Sequence, residues 1–469
     1  MTAPPTIQSP ADLAGRRTVV LGLARSGLAA ARFLLGVGAQ VTVYDRRPAA
    51  ELADAVAALA ATPATLALGV TPDVARTLLA EAELIVTSPS VSPRFPTTDE
   101  WLRTALIAAE ARGTEVVSEV ELFLRLTRAH VVAVTGTKGK TTTASLLDAM
   151  LGAAGIGHVL GGNIGRPLVE EVERLGADQW AILELSELQL PTISRGAEVA
   201  VYTNIAADHL DRHGTVEAYR AVKARLAELT AGTGGSIVLN ADDPGCVELA
   251  ERLAGASLHW YGLAGEGDAT VLAGWLVLAG ERLLPVGGVP LPGRHMLSDV
   301  LGAALGASLV GASRSAIAAG IGSFAGVPNR LERIGERDGV AWVNDSQATI
   351  PMAAIAALDA FEPARVVLIA GGQGKGLDYV AFAEAIAARC RAAVLIGETA
   401  GELDRLIAGR VPVRRADSME AAADLAAGAA EPGDVVLLAP AAASFDMFVD
   451  YAARGEAFRT AARGLGVQP

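Results

Sequence analysis

A length of 469 residues, at roughly 150 per domain, favours about three domains and excludes a single small binding module. Hydrophobic residues make up 51% and mean hydropathy is +0.37, yet no uncharged apolar run reaches the roughly 18 residues that span a bilayer, and with 19% charged residues the chain can bury a large core, which excludes global disorder. The formal charge of -13, from 52 acidic and 39 basic residues, argues against a general affinity for nucleic acid or anionic membrane, so any anionic ligand needs a local site.

The opening MTAPPTIQSP has neither a basic stretch nor an apolar core, so no secretory signal is expected. From there, short apolar runs bounded by glycine alternate with longer Ala/Leu/Arg/Glu stretches of helical period, the signature of parallel strands joined by crossover helices. Thr18 to Leu21, Val41 to Tyr44 and Leu84 to Thr87 read as strands of a first unit. Val131 to Val134, Ala181 to Leu185, Val199 to Tyr202 and Ser236 to Leu239 read as strands of a second, and Val366 to Ala370, Ala393 to Ile396 and Val435 to Ala439 as strands of a third. The rhythm breaks near positions 117 and 326, which divides the chain into three α/β domains at 1–117, 118–326 and 327–469. The stretch from Gly262 to Gly293 is glycine-rich and strand-like, a hairpin elaboration of the middle domain. Aromatics are only 4%, so the cores are aliphatic. Cys246 and Cys390 match neither a disulfide framework nor a CxxC metal pattern and read as small core residues of a protein in a reducing cytoplasm.

In the first domain, Gly22-Leu23-Ala24-Arg25-Ser26-Gly27 follows a strand, and Asp45 ends the next strand. This is a dinucleotide-type fingerprint whose second glycine is replaced by Ala24, and it fits a nucleotide-diphosphate site, a degraded dinucleotide site or helix–strand packing equally. The strongest signal is Val134-Thr135-Gly136-Thr137-Lys138-Gly139-Lys140-Thr141-Thr142, a buried strand running through a glycine-containing loop into a helix from Thr143 to Leu151. Such a loop aims backbone N–H groups and a helix dipole at phosphates, with Lys140 on the outer phosphates and Thr141 on magnesium. The general phosphate-loop pattern asks for glycine where Val134 stands, so this is a shorter variant. Glu184, near the end of an apolar strand, is costly to bury without a cation or hydrogen-bond partner, and reads either as a magnesium carboxylate or as a strand-end salt bridge. Asp208, His209 and Asp211 cluster after another buried strand, which admits a metal beside the structural reading of His209. Lys223, on a helix from Thr215 to Leu229, reads from spacing alone as a solvated lysine. In the last domain, Asn344 to Thr349, Gly371 to Gly376 and Ala443 to Phe448 all follow apolar strands, so they gather at one carboxyl edge, placing a lysine, hydroxyls and an aspartate around a site for an acidic small molecule.

TGTKGKTT, GGNIG (Gly161 to Gly165), ELSELQL (Glu184 to Leu190), DHLDRH, YRAVK (Tyr219 to Lys223), NADD (Asn240 to Asp243), PGRH (Pro292 to His295), Asn329-Arg330, NDSQAT, GGQGKG and SFDMF occur in an order that resembles the Mur ligases along essentially the whole chain. The closest likeness is to the branch that adds glutamate to UDP-N-acetylmuramoyl-L-alanine. The resemblance implies a three-domain α/β fold: an N-terminal Rossmann-like domain for the UDP-sugar, a central ATPase-like parallel sheet, and a C-terminal Rossmann-like domain for glutamate. It implies that ATP phosphorylates a carboxylate and that the glutamate amine then displaces phosphate. Lys140, Glu184, His209 and Lys223 become the catalytic set. ATP falls to Gly136, Thr137, Lys138, Gly139, Lys140, Thr141 and Thr142, with Asp299, Arg330 and Asp345. Thr141 and Glu184 hold one magnesium ion and His209 a second, with Lys223 carbamylated so that it presents a carboxylate, which reverses its solvated reading. Ser26, Asp45, Arg46, Ser90 and Asn163 meet the UDP-substrate, and Thr349, Lys375, Ser444, Phe448 and Tyr451 surround glutamate. A cytoplasmic monomer acting on small molecules, with no nucleic-acid or membrane partner, completes what it implies.

Some positions depart from the family pattern. Lys138 stands where asparagine is common, Glu187 where a second serine is frequent, Met296 and Asp299 where two asparagines are usual, and Gln347 where a lysine is usual. The last removes a charge partner for a glutamate carboxylate, so L-glutamate stays open beside D-glutamate, as does another amide ligase of the Mur or folylpolyglutamate type. An NAD-dependent dehydrogenase built on the first domain leaves the phosphate loop unexplained, and a nucleotide-binding regulator is separated from a ligase by whether phosphate release needs the amino acid.

Overall fold

The computed structural model of the chain describes residues 7–468 except 96, 207–214, 265–266, 292, 362–364 and 375. Among these residues three sheets form. The first contains β1 (Arg17–Leu21), β2 (Gln40–Asp45), β3 (Thr65–Leu68), β4 (Leu84–Thr87) and β5 (Glu115–Ser118), in the order β3-β2-β1-β4-β5 and parallel throughout. The second contains β6 (His130–Thr135), β7 (His158–Gly162), β8 (Trp180–Glu184), β9 (Val199–Tyr202), β10 (Ser236–Asn240), β11 (Ser257–Gly262), β12 (Ala269–Leu272), β13 (Trp275–Leu278) and β14 (Glu281–Pro285). Its order is β14-β13-β12-β11-β10-β9-β6-β8-β7, parallel except for the antiparallel β12-β13-β14 ribbon, which is the expected hairpin elaboration. The third contains β15 (Glu332–Arg337), β16 (Val340–Asn344), β17 (Val366–Gly371), β18 (Cys390–Ile396), β19 (Val413–Ala416) and β20 (Val435–Leu438), in the order β15-β16-β20-β17-β18-β19, with only β15 antiparallel. The strands read from sequence are reproduced to within three residues at either end.

Parallel strands with helices on both faces must be apolar on both sides, and the packing shows it. In β17, Val366, Leu368 and Ala370 join one core and Val367 and Ile369 the opposite one. Val20, Val43 and Val86 of the first sheet share a single core with Val131, Ala133 and Leu183 of the second, through Leu122, Phe123, Leu124 and Leu126 of the helix Glu119–Leu126. That shared core explains why the first two sheets fall in one compact unit, residues 1–288 and 298–322, while the third sheet anchors another, residues 289–297 and 323–469. The cores are overwhelmingly Val, Leu, Ile and Ala, and Cys246 and Cys390 are free and buried in them. Burial pushes the Cys390 thiol up to about 12, which keeps it unreactive.

The last helix, Tyr451–Gly464, is fixed to the third sheet by Phe458, whose ring stacks on Trp342 of β16 at 5.7 Å between centroids, both side chains being fully buried. Trp342→Ala is expected to cost about 3–5 kcal/mol of stability in the unit that contains it, measured by circular dichroism in urea. A loss below about 1 kcal/mol would mean that the helix is held by other contacts.

Candidate functional site

In the central sheet β6 lies between β8 and β9, so the loop leaving β6 meets the carboxyl ends of both neighbours. Val134 of β6 is in register with Glu184 of β8, and Thr135 Oγ1 donates to the Leu185 carbonyl at 2.9 Å. On the other side Thr203 and Asn204, just past β9, form the floor of the loop. Thr137 N donates to Asn204 O at 2.9 Å, Lys138 N to Asn204 Oδ1 at 2.9 Å, and the Thr203 hydroxyl to Lys138 O. Gly139 caps the helix Lys140–Ala153 with φ of 82°, and a Cβ there would stand 2.3 Å from Asp299 Oδ1. Only glycine meets both demands. The loop therefore ends at a helix N-terminus with its N–H groups presented as an anion cradle.

Two lysines converge on this loop. Lys140 Nζ donates to Gly136 O and Thr137 O, each at 2.9 Å, and Lys223 Nζ donates to Gly136 O at 2.9 Å and to Thr135 Oγ1 at 3.4 Å. The solvated reading of Lys223 is overturned: its side chain is fully buried on the helix Val216–Gly232, with the ammonium 5.5 Å from the centre of the Tyr219 ring one turn earlier. Tyr219 OH in turn shares a hydrogen bond with Thr137 Oγ1 at 2.9 Å. Sequence reasoning quoted Tyr219 without giving it a task, although its spacing of four from Lys223 puts both on one helix face.

Glu184 is completely buried. Its Oε1 accepts from Asn163 Nδ2 at 2.7 Å, while Oε2 has no hydrogen-bond partner. Thr142 Oγ1, in the first turn after the loop, is buried and equally unpartnered, and Thr141 beside it is half-buried. A buried carboxylate oxygen and a hydroxyl left without partners next to a phosphate cradle fit an oxygen-loving divalent cation such as magnesium. His209 lies outside the described residues.

The first sheet repeats the same geometry. β1 lies between β2 and β4, and the loops after these three strands line a cavity of about 730 Å³ that includes Ser26, Asp45, Arg46 and Ser90. The helix Arg25–Gly36 starts at its wall, and Gly27 packs so closely on the strand that a Cβ would fall 1.8 Å from Gly22 O. Ala24, at the place of the second glycine, is exposed on this wall. Asp45 accepts Leu23 N at 2.8 Å on Oδ2 and Arg47 N at 2.9 Å on Oδ1. Burial raises its pKa, but these bonds and the Arg47 guanidinium outweigh burial and leave it below the ordinary value. Asn163, expected on the UDP-substrate, has its amide on Glu184. Arg25, missed by sequence reasoning, lines the cavity and donates to Asn163 O at 3.2 Å and Gly165 O at 2.9 Å. A basic residue at the start of the helix after a glycine loop was the available signal. The fully buried Glu119 accepts Val169 N at 3.0 Å nearby, and burial raises its pKa to about 7.

In the third sheet β20 lies between β16 and β17, which brings the three expected loops together at one carboxyl edge. Gln373 and Ala443 exchange backbone hydrogen bonds at 2.9 and 3.1 Å, and Ala441 N donates to Ala348 O at 2.8 Å. Arg454, unforeseen from sequence, is almost fully buried and binds Ser346 Oγ and the carbonyls of Ser346, Ala442 and Ala443 at 2.9–3.2 Å. Burial lowers its pKa to about 10, and Asp446 pulls it back up. Ser444 is buried, Thr349 and Phe448 are half-buried, and Tyr451 is 41% exposed. Lys375 lies outside the described residues. Arg330 and Asp345 sit at the start of the same edge, where Asp345 Oδ1 accepts Leu331 N at 3.1 Å.

Three family profiles match consecutive parts of the chain: "Mur ligase MurD-like, N-terminal domain" at 16–118, "Mur ligase middle domain" at 134–306 and "Mur ligase, glutamate ligase domain" at 329–442. The UDP-N-acetylmuramoylalanine--D-glutamate ligase of Solibacter usitatus is 41% identical over 457 residues, covering 97% of this chain and 99% of the relative. That of Nitrosococcus oceani is 39% identical over 460 residues, covering 96% of each. Among solved structures, the UDP-N-acetylmuramate-alanine ligase of Thermotoga maritima superposes with a TM-score of 0.60 at 16% identity, covering 96% of this chain and all of that one. A pseudomurein peptide ligase type C of Methanothermus fervidus gives 0.55 at 18%, covering 96% and 99%; both show likeness of fold.

Burial holds the Asp345 carboxyl up at about 6 in the folded protein, whereas the unfolded chain releases that proton near pH 4. Stability from this group is complete below about pH 4 and is lost as pH rises through about 6, by up to about 3 kcal/mol. Asp345→Asn is expected to flatten that part of the stability curve, measured by urea unfolding at a series of pH values. An unchanged slope would show that Asp345 is ionised throughout.

Proposed function

The chain belongs to the Mur ligase family, and from that premise we propose that it adds D-glutamate to UDP-N-acetylmuramoyl-L-alanine, using ATP, in the synthesis of a peptidoglycan precursor. It is an ATP-dependent amide-bond-forming ligase, and ligases of this family use magnesium. The observation that carries the reading is the buried Glu184, with one oxygen unpartnered, in register with the strand that opens into a two-lysine phosphate loop.

The chemistry follows from the electrophile. A carboxylate resists attack by an amine because its oxygen is a poor leaving group, so one oxygen is first made into a phosphate. The alanine carboxylate of the UDP-sugar attacks the γ-phosphorus of ATP, ADP departs, and the glutamate amine then attacks the acyl carbon and expels phosphate. In this reading the loop N–H groups of residues 136–141 and Lys140 bind the transferring phosphate, which draws Lys140 away from Gly136 O. Thr141, Glu184, His209 and Lys223 would hold magnesium, which would supply positive charge to offset that of the phosphates and the attacking carboxylate. Two ions are proposed, with Lys223 carbamylated on Nζ so that a buried amine becomes an oxygen ligand. The first-sheet cavity takes the UDP-sugar, with its diphosphate at the start of the helix Arg25–Gly36. Asn163 and Arg25 link that cavity to Glu184. Asp299 and, from the third sheet, Arg330 and Asp345 contact ATP, while Thr349, Lys375, Ser444, Phe448 and Tyr451 enclose glutamate. The domain assignment 1–117, 118–326 and 327–469 follows these three tasks. No helix among the described residues is long and apolar enough to cross a membrane, and the reading is of a cytoplasmic monomer acting on small molecules without nucleic acid.

Incubation with ATP, magnesium, UDP-N-acetylmuramoyl-L-alanine and each glutamate enantiomer in turn is expected to yield a product heavier by one glutamyl residue with the D form, with phosphate release that needs both acceptor and amino acid. Product with L-glutamate alone would reassign the stereochemistry, and hydrolysis indifferent to glutamate would remove the ligase reading. Lys223→Ala is expected to lose at least about 100-fold in kcat, in the range for removal of a key charged group at a phosphoryl site, and to regain part of it with added small carboxylic acids. Wild-type activity in that variant would refute the carbamate.

A further inference from the structure

Arg330 is presented by a turn whose backbone is unusual on both sides of it. Asn329 has φ of 64°, a left-handed conformation that asparagine tolerates better than other residues with a Cβ, and Leu331 has φ of 44°, where a bulky apolar residue stays only under restraint. Arg330 N closes the turn onto Val327 O at 3.0 Å. The restraint has a visible source. A single carboxylate oxygen, Glu332 Oε2, accepts Asn329 N at 2.7 Å, Asn344 Nδ2 at 3.0 Å and Arg459 Nη1 at 2.7 Å. Asn344 Nδ2 also donates to Asn329 Oδ1 at 3.0 Å, and Gln347 N to Asn329 O at 3.0 Å. The Glu332 and Arg459 side chains are 17% and 15% exposed, so this pair is screened from water far more than a surface ion pair.

We propose that Glu332 and Arg459 are positioning residues that hold Arg330 in its working conformation. Neither is among the residues assigned to ATP, metal or glutamate. The inference rests on the reading of Arg330 as an ATP contact. Arg459 stands on the helix Tyr451–Gly464, the same helix whose Arg454 grips Ser346, Ala442 and Ala443. One helix thus fixes the turn that carries Arg330 and the loops assigned to glutamate, and loosening Glu332 frees the turn without touching Arg454.

The test is a double-mutant cycle with a direct observation of the arginine. Glu332→Gln is expected to raise KM for ATP about tenfold, Arg330→Ala to do the same, and the double variant to be no worse than Arg330→Ala alone, because both remove one contact. KM for UDP-N-acetylmuramoyl-L-alanine stays within about twofold. Adding Asn329→Gly to Glu332→Gln restores part of the ATP affinity, since glycine takes the positive φ without restraint, and a purely structural defect would not respond. The Arg330 Nε–Hε resonance, assigned by its loss in Arg330→Lys, shifts and broadens in Glu332→Gln. Arg459→Lys moves the same readouts in the same direction and stands in if Glu332→Gln does not fold. Additive effects on KM, or an unmoved Arg330 resonance, would overturn the proposal. If Arg330→Ala leaves KM for ATP unchanged while the resonance shifts in Glu332→Gln, the ATP reading of Arg330 fails and the positioning role stands.

Discussion

The carbonyl oxygen of Gly136 accepts hydrogen bonds from both Lys140 and Lys223, and the central site is organised around that point. Two unmodified lysines share that carbonyl with the help of the neighbouring Thr137 carbonyl and Thr135 hydroxyl, and the proposed carbamylation of Lys223 would remove the second positive charge while leaving one Nζ–H to donate. The loop keeps this shape because its other atoms are committed: Thr137 and Lys138 are tied to Asn204, and Gly139 is pressed against Asp299. A cation held by its own loop is also a cation available to a phosphate, since a triphosphate offers Lys140 a stronger partner than a neutral carbonyl.

Strand order decides where chemistry gathers. In each sheet one strand has neighbours that lie on opposite sides in the winding: β1 between β2 and β4, β6 between β8 and β9, β20 between β16 and β17. The loops leaving such a triplet diverge and leave a crevice at the carboxyl edge, which is where open α/β sheets bind ligands. The cavity of the first sheet, the phosphate loop of the second and the Ser346–Ala443–Gln373 cluster of the third all sit there. One topological rule, applied three times, gives three crevices in a chain of charge -13, one for each of the three anionic substrates in the proposed reading.

Much of this was legible in the sequence, for identifiable reasons. Interior strands such as β4, β9 and β17 are continuous apolar runs because both faces are covered, and they were read to within a residue. Of the strands passed over, β3, β5, β7, β15 and β19 lie at sheet edges, where polar side chains are acceptable and the apolar signal fades, while β11 and β16 are interior strands whose runs are interrupted by polar or small residues such as His259 and Ala341. The phosphate loop and the strand-end Glu184 announce themselves because glycine, lysine and a buried carboxylate are chemically conspicuous. Lys223 did not, since helical spacing cannot report that its helix turns that face onto the loop. Arg454, Glu332 and Arg459 were silent for a related reason: their partners are largely backbone carbonyls and a backbone N–H, which carry no residue-type signal, and the Glu332–Arg459 and Arg454–Ser346 pairs join positions more than a hundred residues apart.

The acidic balance of the chain now has a specific meaning. Its substrates as proposed are all anions, so in that reading binding depends on a few cations at loop ends and on a metal beside the half-partnered Glu184, and catalysis depends on turning one substrate oxygen into a leaving group. The most direct test labels both carboxylate oxygens of UDP-N-acetylmuramoyl-L-alanine with a heavy isotope and follows the label by mass spectrometry during ligation. One labelled oxygen in each inorganic phosphate released is expected, because the oxygen that attacks phosphorus leaves with it. Unlabelled phosphate formed alongside amide product would contradict carboxylate phosphorylation as the activating step.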